Sequence, residues 1–225
     1  VTAPTQGSDA PGVLRGLEDD RSSVRLRVAM AVGSDPDPRF VGTLVERCAS
    51  EPDFYVREML TWALTRHPVA ATVPALLEEV RSERAQARSQ ALHTLSKIGD
   101  RQAWPAVTGE LLSDADDEVA RSAWRAAVVL VPEGEEAGLA AVLARQLGRG
   151  GLETQRSLSR ALLALGEPVV PVLRAATSDP DPRVRAHAFA TERLLDDPEA
   201  GFGYLLEEAK RLVVLGGTGQ EEQPC

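Results

Sequence analysis

One unit of sequence returns six times along this chain, and a unit of about 30 residues repeated in tandem leaves few folds open. Each copy starts with a turn rich in Asp, Pro or Ser. A small or branched apolar residue follows, usually with Arg close behind, and then an alanine-rich run. The copies read DDRSSVRLRVAMAV, EPDFYVREMLTWAL, RAQARSQALHTL, DADDEVARSAWRAAVVL, GLETQRSLSRALLAL and DPDPRVRAHAFATERLL. Anchored on the first core residue they begin at Val24, Val56, Ala87, Val119, Thr154 and Val184, at intervals of 32, 31, 32, 35 and 30.

Counting each anchor as position 0, positions 0, +4, +7, +8 and +11 share about 100° of arc on a helix turning 100° per residue. They hold Val24, Val28, Ala31 and Val32 in the first copy, and Val56, Leu60, Ala63 and Leu64 in the second. The third has Ala87, Ala91, Thr94, Leu95 and Ile98; the fourth Val119, Ala123, Ala126, Ala127 and Leu130; the fifth Leu158, Ala161, Leu162 and Leu165. These faces are the expected core, with small residues at +4 and +7 to let helices approach.

A second apolar run precedes each later anchor, at 41–48, 73–80, 104–112, 139–147 and 169–176, with Pro38, Pro74, Pro105, Pro168 and Pro171 at or near the starts. Proline costs little there, because the first helical N–H groups have no partner to lose. Each unit is therefore expected to be helix–turn–helix. The segment 202–214 reads as a capping helix, residues 11–215 as a single repeat domain, and residues 1–10 and 216–225 as flexible ends. The hexapeptide S-D-P-D-P-R occurs at 34–39 and 178–183, in two different phases of the repeat, and reads as helix punctuation.

Apolar residues make up 43% and charged ones 26%, which suits an ordinary globular protein. No run is long enough to span a membrane, no basic-then-apolar leader opens the sequence, and two cysteines, Cys48 and Cys225, form no disulfide or zinc pattern. A cytoplasmic monomer is expected. Nearly all basic residues are Arg, as in the GC-rich genome of a bacterium, and a net charge of −9 argues against general nucleic-acid binding.

The pattern D-x-x-x-x-V-R-x-x-A-x-x-A-L, clearest at 179–188, 114–123 and 19–28, resembles the HEAT-like repeat family, in particular the short bacterial repeats of the phycobilin-lyase type. The resemblance covers roughly residues 11–200. It implies an all-α, right-handed, armadillo-type α-solenoid of about six helix pairs, with the second helices lining a concave groove. It also implies a ladder along the stack, in which Arg25, Arg57, Arg88 and Arg185 reach acids such as Asp19, Asp114 and Asp179. The fifth copy departs from the pattern, with Thr154-Gln155 for Val-Arg and an approach through the glycine-rich GRGG, which marks a local irregularity or hinge.

No catalytic motif, metal-ligand spacing or cofactor fingerprint is present; His67, His93 and His187 lie in separate repeats. Function is therefore sought on the outward face of the second helices. Positions +2, +5 and +6 give Trp62, His93, Arg121, Trp124, Arg125, Arg156 and Arg160 as groove candidates. Indoles beside guanidinium groups can stack on a partner, or the two tryptophans can wedge between repeats under arginine stems. The leading expectation is a non-enzymatic scaffold that holds a peptide or helix in the groove, without cofactor or metal. Similar repeats follow MerR-type DNA-binding heads in some bacterial regulators, which makes a transcriptional regulator a candidate partner. The alternatives are a HEAT-like DNA glycosylase and, on kinship alone, a bilin lyase.

Overall fold

The computed structural model describes residues 10–217. The ends expected to be flexible lie, apart from their innermost residues, outside that range. Among the described residues the protein is all-α. Contacts divide the described residues into two compact units, 10–108 and 109–217.

The first unit contains α1 (Ala10–Leu17), α2 (Ser22–Ser34), α3 (Val41–Ser50), α4 (Phe54–Arg66), α5 (Val69–Glu79) and α6 (Ala85–Ile98). In it α3 packs on α4 and α5 on α6 as helix pairs, and α2, α4 and α6 pack side by side. The second unit contains α7 (Gly109–Leu112), α8 (Asp117–Leu130), α9 (Glu136–Ala144), α10 (Leu152–Ala164), α11 (Val170–Ala176), α12 (Pro182–Asp196) and α13 (Phe202–Gly217). Here α8 packs on α10, α10 on α12, and α13 on α12. The run expected as one helix over 104–112 is broken into a 3-10 turn, Arg101–Ala106, and the four-residue α7. Pro105 lies inside the turn, where a missing N–H is tolerated more easily than in a long α-helix.

The repeat face is buried in the middle copies. Val56, Leu60, Ala63 and Leu64 are fully covered, as are Val119, Ala123, Ala126, Ala127 and Leu130. The first copy differs: Ala31 is exposed, Val24 and Val28 are half-buried, and α2 buries Arg25, Ala29, Val32 and Gly33 instead. Two partners turn this helix. A methyl group on Gly16 of α1 would lie 2.6 Å from Val28 Cγ2, so Val28 faces a helix of only eight residues. On the other side Arg25 is drawn inward by Glu51, which is completely buried.

Glu51 is the polar centre of the first unit. Arg25 donates to both of its oxygens at 2.8 and 2.7 Å, Arg47 donates to Oε2 at 2.9 and 2.7 Å, and the Asp53 N–H donates to Oε1 at 2.9 Å. Burial alone would raise its pKa, but the bonds from Arg25, Asp53 N–H and Arg47 dominate and hold it at about 2. Gln86, at the start of α6, donates to the Glu51 carbonyl at 2.8 Å, so this residue ties three successive repeats.

The arginines expected to form a ladder with acids along the stack instead bond backbone carbonyls within their own repeats. Nη1 of Arg25 donates to the carbonyls of Asp19 and Asp20, and that of Arg57 to Glu51 and Pro52. Arg88 reaches Ser82 and Glu83, and Arg185 reaches Asp179 and Pro180, in the same way. Each guanidinium thus satisfies two carbonyls of the turn leading into its own helix. The aspartates close those turns: Asp19 accepts the N–H of Arg21 at 2.9 Å, Asp114 that of Asp116 at 2.9 Å, and Asp179 that of Asp181 at 2.8 Å. An acid two residues ahead of an N–H can make this bond locally, without ordering a longer contact.

The fourth copy has Ala120 where the ladder arginine would stand. Arg149 of the GRGG loop fills the place, donating to the Asp114 carbonyl and, at 2.9 Å, to the Asp117 carboxylate. Gly148 and Gly150 flank it with φ of 78° and 64°, a backbone region that disfavours side chains, which is why glycine surrounds this arginine. In the fifth copy the Gln155 amide does the same work, donating to the Gly150 carbonyl at 3.1 Å. The two S-D-P-D-P-R copies are locally alike. Asp37 and Asp181 each cap the helical turn that follows, Pro occupies its first residue, and Arg39 or Arg183 folds back onto the capping carboxylate.

Candidate functional site

The structure separates the three positions expected on the groove side. Position +5 is a seam between repeats in the second to fifth copies, where Thr61, Leu92, Trp124 and Ser159 are all buried, whereas Phe189 of the sixth copy is exposed. A helix in a stack is covered by neighbours on two sides, so its buried arc is wider than one apolar stripe. Thr61 Oγ1 accordingly meets Thr94 Oγ1 of the next repeat at 3.5 Å. Position +6 does face outward in Met30, Trp62, Arg125 and Arg160, and Arg121 and Arg156 at +2 are half-exposed.

Trp124 is therefore corrected from a groove residue to a core residue. It has no exposed surface, its indole N–H donates to the Leu112 carbonyl at 2.8 Å, and Arg149 lies 5.9 Å from its ring. Trp62 keeps 39% exposure, but one face rests on Gly33, where a methyl group would come within 2.4 Å of the ring. It is a wedge between α2 and α4 with an open edge. His93 is half-buried, with Nε2 3.3 Å from a Glu58 carboxylate oxygen.

In the second unit the four predicted arginines converge. Arg121 and Arg125 from α8 and Arg156 and Arg160 from α10 line one cleft of ≈ 160 Å³, with Glu153, Ser157, Val128 and Ala161. The i, i+4 spacing on two adjacent helices turns the four side chains into one opening. Arg121 pairs with Glu118 at 2.6 Å and Arg156 with Glu153 at 3.1 Å. Nε of Arg121 is shut from solvent without an acceptor, and Arg160 makes no hydrogen bond or ion pair among the described residues. With Glu118 and Glu153 counted, two positive charges remain, in a chain whose net charge is −9.

The row ends at α12, where positions +2 and +6 are Ala186 and Ala190. Both are buried against Phe202, Leu205, Leu206, Ala209 and Val213 of α13. The capping helix therefore lies on the same row of positions that α8 and α10 leave open.

Two groupings that resemble chemistry are structural. His187 Nε2 lies 2.9 Å from Ser159 Oγ, the spacing of a base and its nucleophile. The Gly148 N–H donates to Nδ1 at 3.0 Å, which places the ring proton on Nε2. Thr191 donates to the His187 carbonyl, so Ser159 donates to Thr191 at 2.7 Å and accepts from the imidazole. The hydrogen bonds run one way, and the ring has no free lone pair facing the serine. Burial holds His187 at about 4, against the opposing bond to the Gln155 carbonyl, so the ring is neutral. Cys48 is buried in α3 with its thiol pushed up to about 12 by burial, which leaves little thiolate for attack. Among the described residues no group of His, Cys, Asp and Glu could hold a metal ion, and no helix is long and apolar enough to cross a membrane.

The family model of HEAT repeats matches residues 43–128. A search of the curated proteins finds no match. A similar solved structure, described as the crystal structure of an engineered protein from the Northeast Structural Genomics Consortium, is 17% identical, with 87% of this chain and 100% of that chain covered and a TM-score of 0.46. HEAT repeats generally mediate protein interaction. The stretch 43–128 therefore matches HEAT repeats, and helix pairs recur on both sides of it.

Proposed function

We propose that the chain is a cytoplasmic, monomeric interaction module that holds an acidic segment of a protein partner in the cleft between α8 and α10. One observation carries the reading: Arg121, Arg125, Arg156 and Arg160 line a single cleft that keeps a positive excess in an acidic protein. Arginine suits the task, because its planar fork matches a carboxylate with two parallel bonds. The packing of α13 on Ala186 and Ala190 supports a helical or extended partner, since that row already accepts a helix within the chain. Duplex DNA suits the surface less well, because four arginines are few against the overall negative charge.

The test is a pull-down comparing the wild-type chain with Arg125→Glu/Arg160→Glu. Loss of specific partners, with unchanged folding by circular dichroism, is the expected result. An unchanged set of partners would place the interaction on another surface. Retention on DNA with a steep salt dependence would favour the nucleic-acid reading instead.

A further inference from the structure

We infer that the cleft between α8 and α10 recognises a phosphorylated side chain of the partner, a doubly charged phosphoryl group rather than a carboxylate. The inference rests on the interaction reading above and specifies the chemistry of the same site.

Three observations favour the phosphoryl group. The first is size: ≈ 160 Å³ lined on both sides by guanidinium groups suits one compact polyatomic anion. The second is charge. After Glu118 and Glu153 are counted two positive charges remain, and a phosphoryl ester carries about −1.5 to −2 near neutral pH where a carboxylate carries one. The third is the supply of donors. Arg160 is uncommitted among the described residues, and Arg121, Arg125, Arg156 and Ser157 share the same lining. A group with three terminal oxygens can accept from several of these at once, whereas a carboxylate has two oxygens to offer. Each glutamate also sits three residues before its arginine on the same helix, so an incoming anion can displace it without moving the backbone.

The probe is a fluorescein-labelled degenerate peptide library with one fixed central phosphoserine, compared with libraries carrying Ser or Asp there, by anisotropy against the full chain. The phosphoserine library is expected to bind at least 10-fold tighter than the Asp library, to be competed by inorganic phosphate, and to weaken as pH falls from 7.5 to 5.5 and the phosphoryl group gains a proton. Arg160→Glu and Arg125→Glu should each remove at least 10-fold of that affinity, and Arg174→Glu, at an exposed position of α11, should not.

Equal binding of the Asp and phosphoserine libraries would overturn the phosphoryl inference and leave the acidic-segment reading standing. Binding of inorganic phosphate without any preference among the libraries would also overturn it, as a free-anion site. If no library binds and the charge reversals change nothing in the pull-down, both readings fail.

Discussion

Arg149 reaches back 35 residues to the carbonyl of Asp114, the place that the ladder arginine of the fourth repeat would fill if Ala120 were Arg. A missing side chain in one copy is thus replaced from a loop in the next. Arg149→Ala should leave the Asp114 carbonyl and the Asp117 carboxylate short of a donor, and should destabilise the second unit by about 2 kcal/mol. Urea unfolding followed by Trp124 fluorescence measures this. Adding Ala120→Arg to that variant should recover part of the loss, because it restores the ladder used in the other copies.

Glu51 is satisfied only while Arg25, Arg47 and the Asp53 N–H all point at it. Its removal by Glu51→Ala leaves Arg25 buried without its counter-charge, at a cost of about 3–5 kcal/mol. Denaturant midpoints for this variant and for the double change Glu51→Leu/Arg25→Met check the cause. The double variant should be less destabilised than the single one, since no buried charge is then left unpaired.

Acid should act on the two units in sequence. His187 is held at about 4 in the folded protein and titrates near 6.5 when unfolded. Between those values the unfolded chain binds the extra proton, so stability falls as pH drops from 6.5 to 4, by up to roughly 3 kcal/mol. Glu51 is held at about 2, below its ordinary 4.5, so its contribution is present above pH 4.5 and is lost as pH falls toward 2. Trp124 reports on the second unit, and Trp62 and Trp104 on the first. Fluorescence of Trp124, read in Trp62→Phe/Trp104→Phe, should change at a higher pH than that of Trp62 and Trp104 read in Trp124→Phe. His187→Asn should flatten the stability slope between pH 6.5 and 4. An unchanged slope would remove His187 from the account.

Gly33 exists to receive Trp62. A methyl group there would lie 2.4 and 2.8 Å from two ring carbons and 2.9 Å from the Ala63 Cα, so Gly33→Ala forces α2 and α4 apart. The expected cost is about 1–3 kcal/mol, typical of overpacking. Trp62→Leu in the same background should restore most of it, because the ring supplies the two nearest contacts.

The repeat, its phase and the core of the middle copies were legible in the sequence, because a helix face of Val56, Leu60, Ala63 and Leu64 has only one way to point. The four arginines of the cleft were legible too, from their spacing at +2 and +6. Trp124 was misplaced because a single-helix projection treats everything beyond one stripe as outward, while a stacked helix also buries the flank that meets the next repeat. Glu51 and Arg149 were not visible as structural centres, since their partners lie 26 and 35 residues away in sequence. Such partners become neighbours only through the stacking itself, and a lone Glu in a turn or an Arg between glycines carries no periodic signal. Ala31 failed because the first repeat is covered on one side only by the short α1.

The most direct test of the arginine cleft observes its side chains individually. The full chain, labelled with 15N-arginine, is titrated with inorganic phosphate while the Nε–Hε resonances are followed by NMR, assigned through single Arg→Lys variants. The account predicts saturable shifts at Arg121, Arg125, Arg156 and Arg160 with one common dissociation constant, while exposed arginines elsewhere, such as Arg174 and Arg183, shift weakly and without saturation. Shifts spread evenly over all exposed arginines, or none at the four in the cleft, would contradict it.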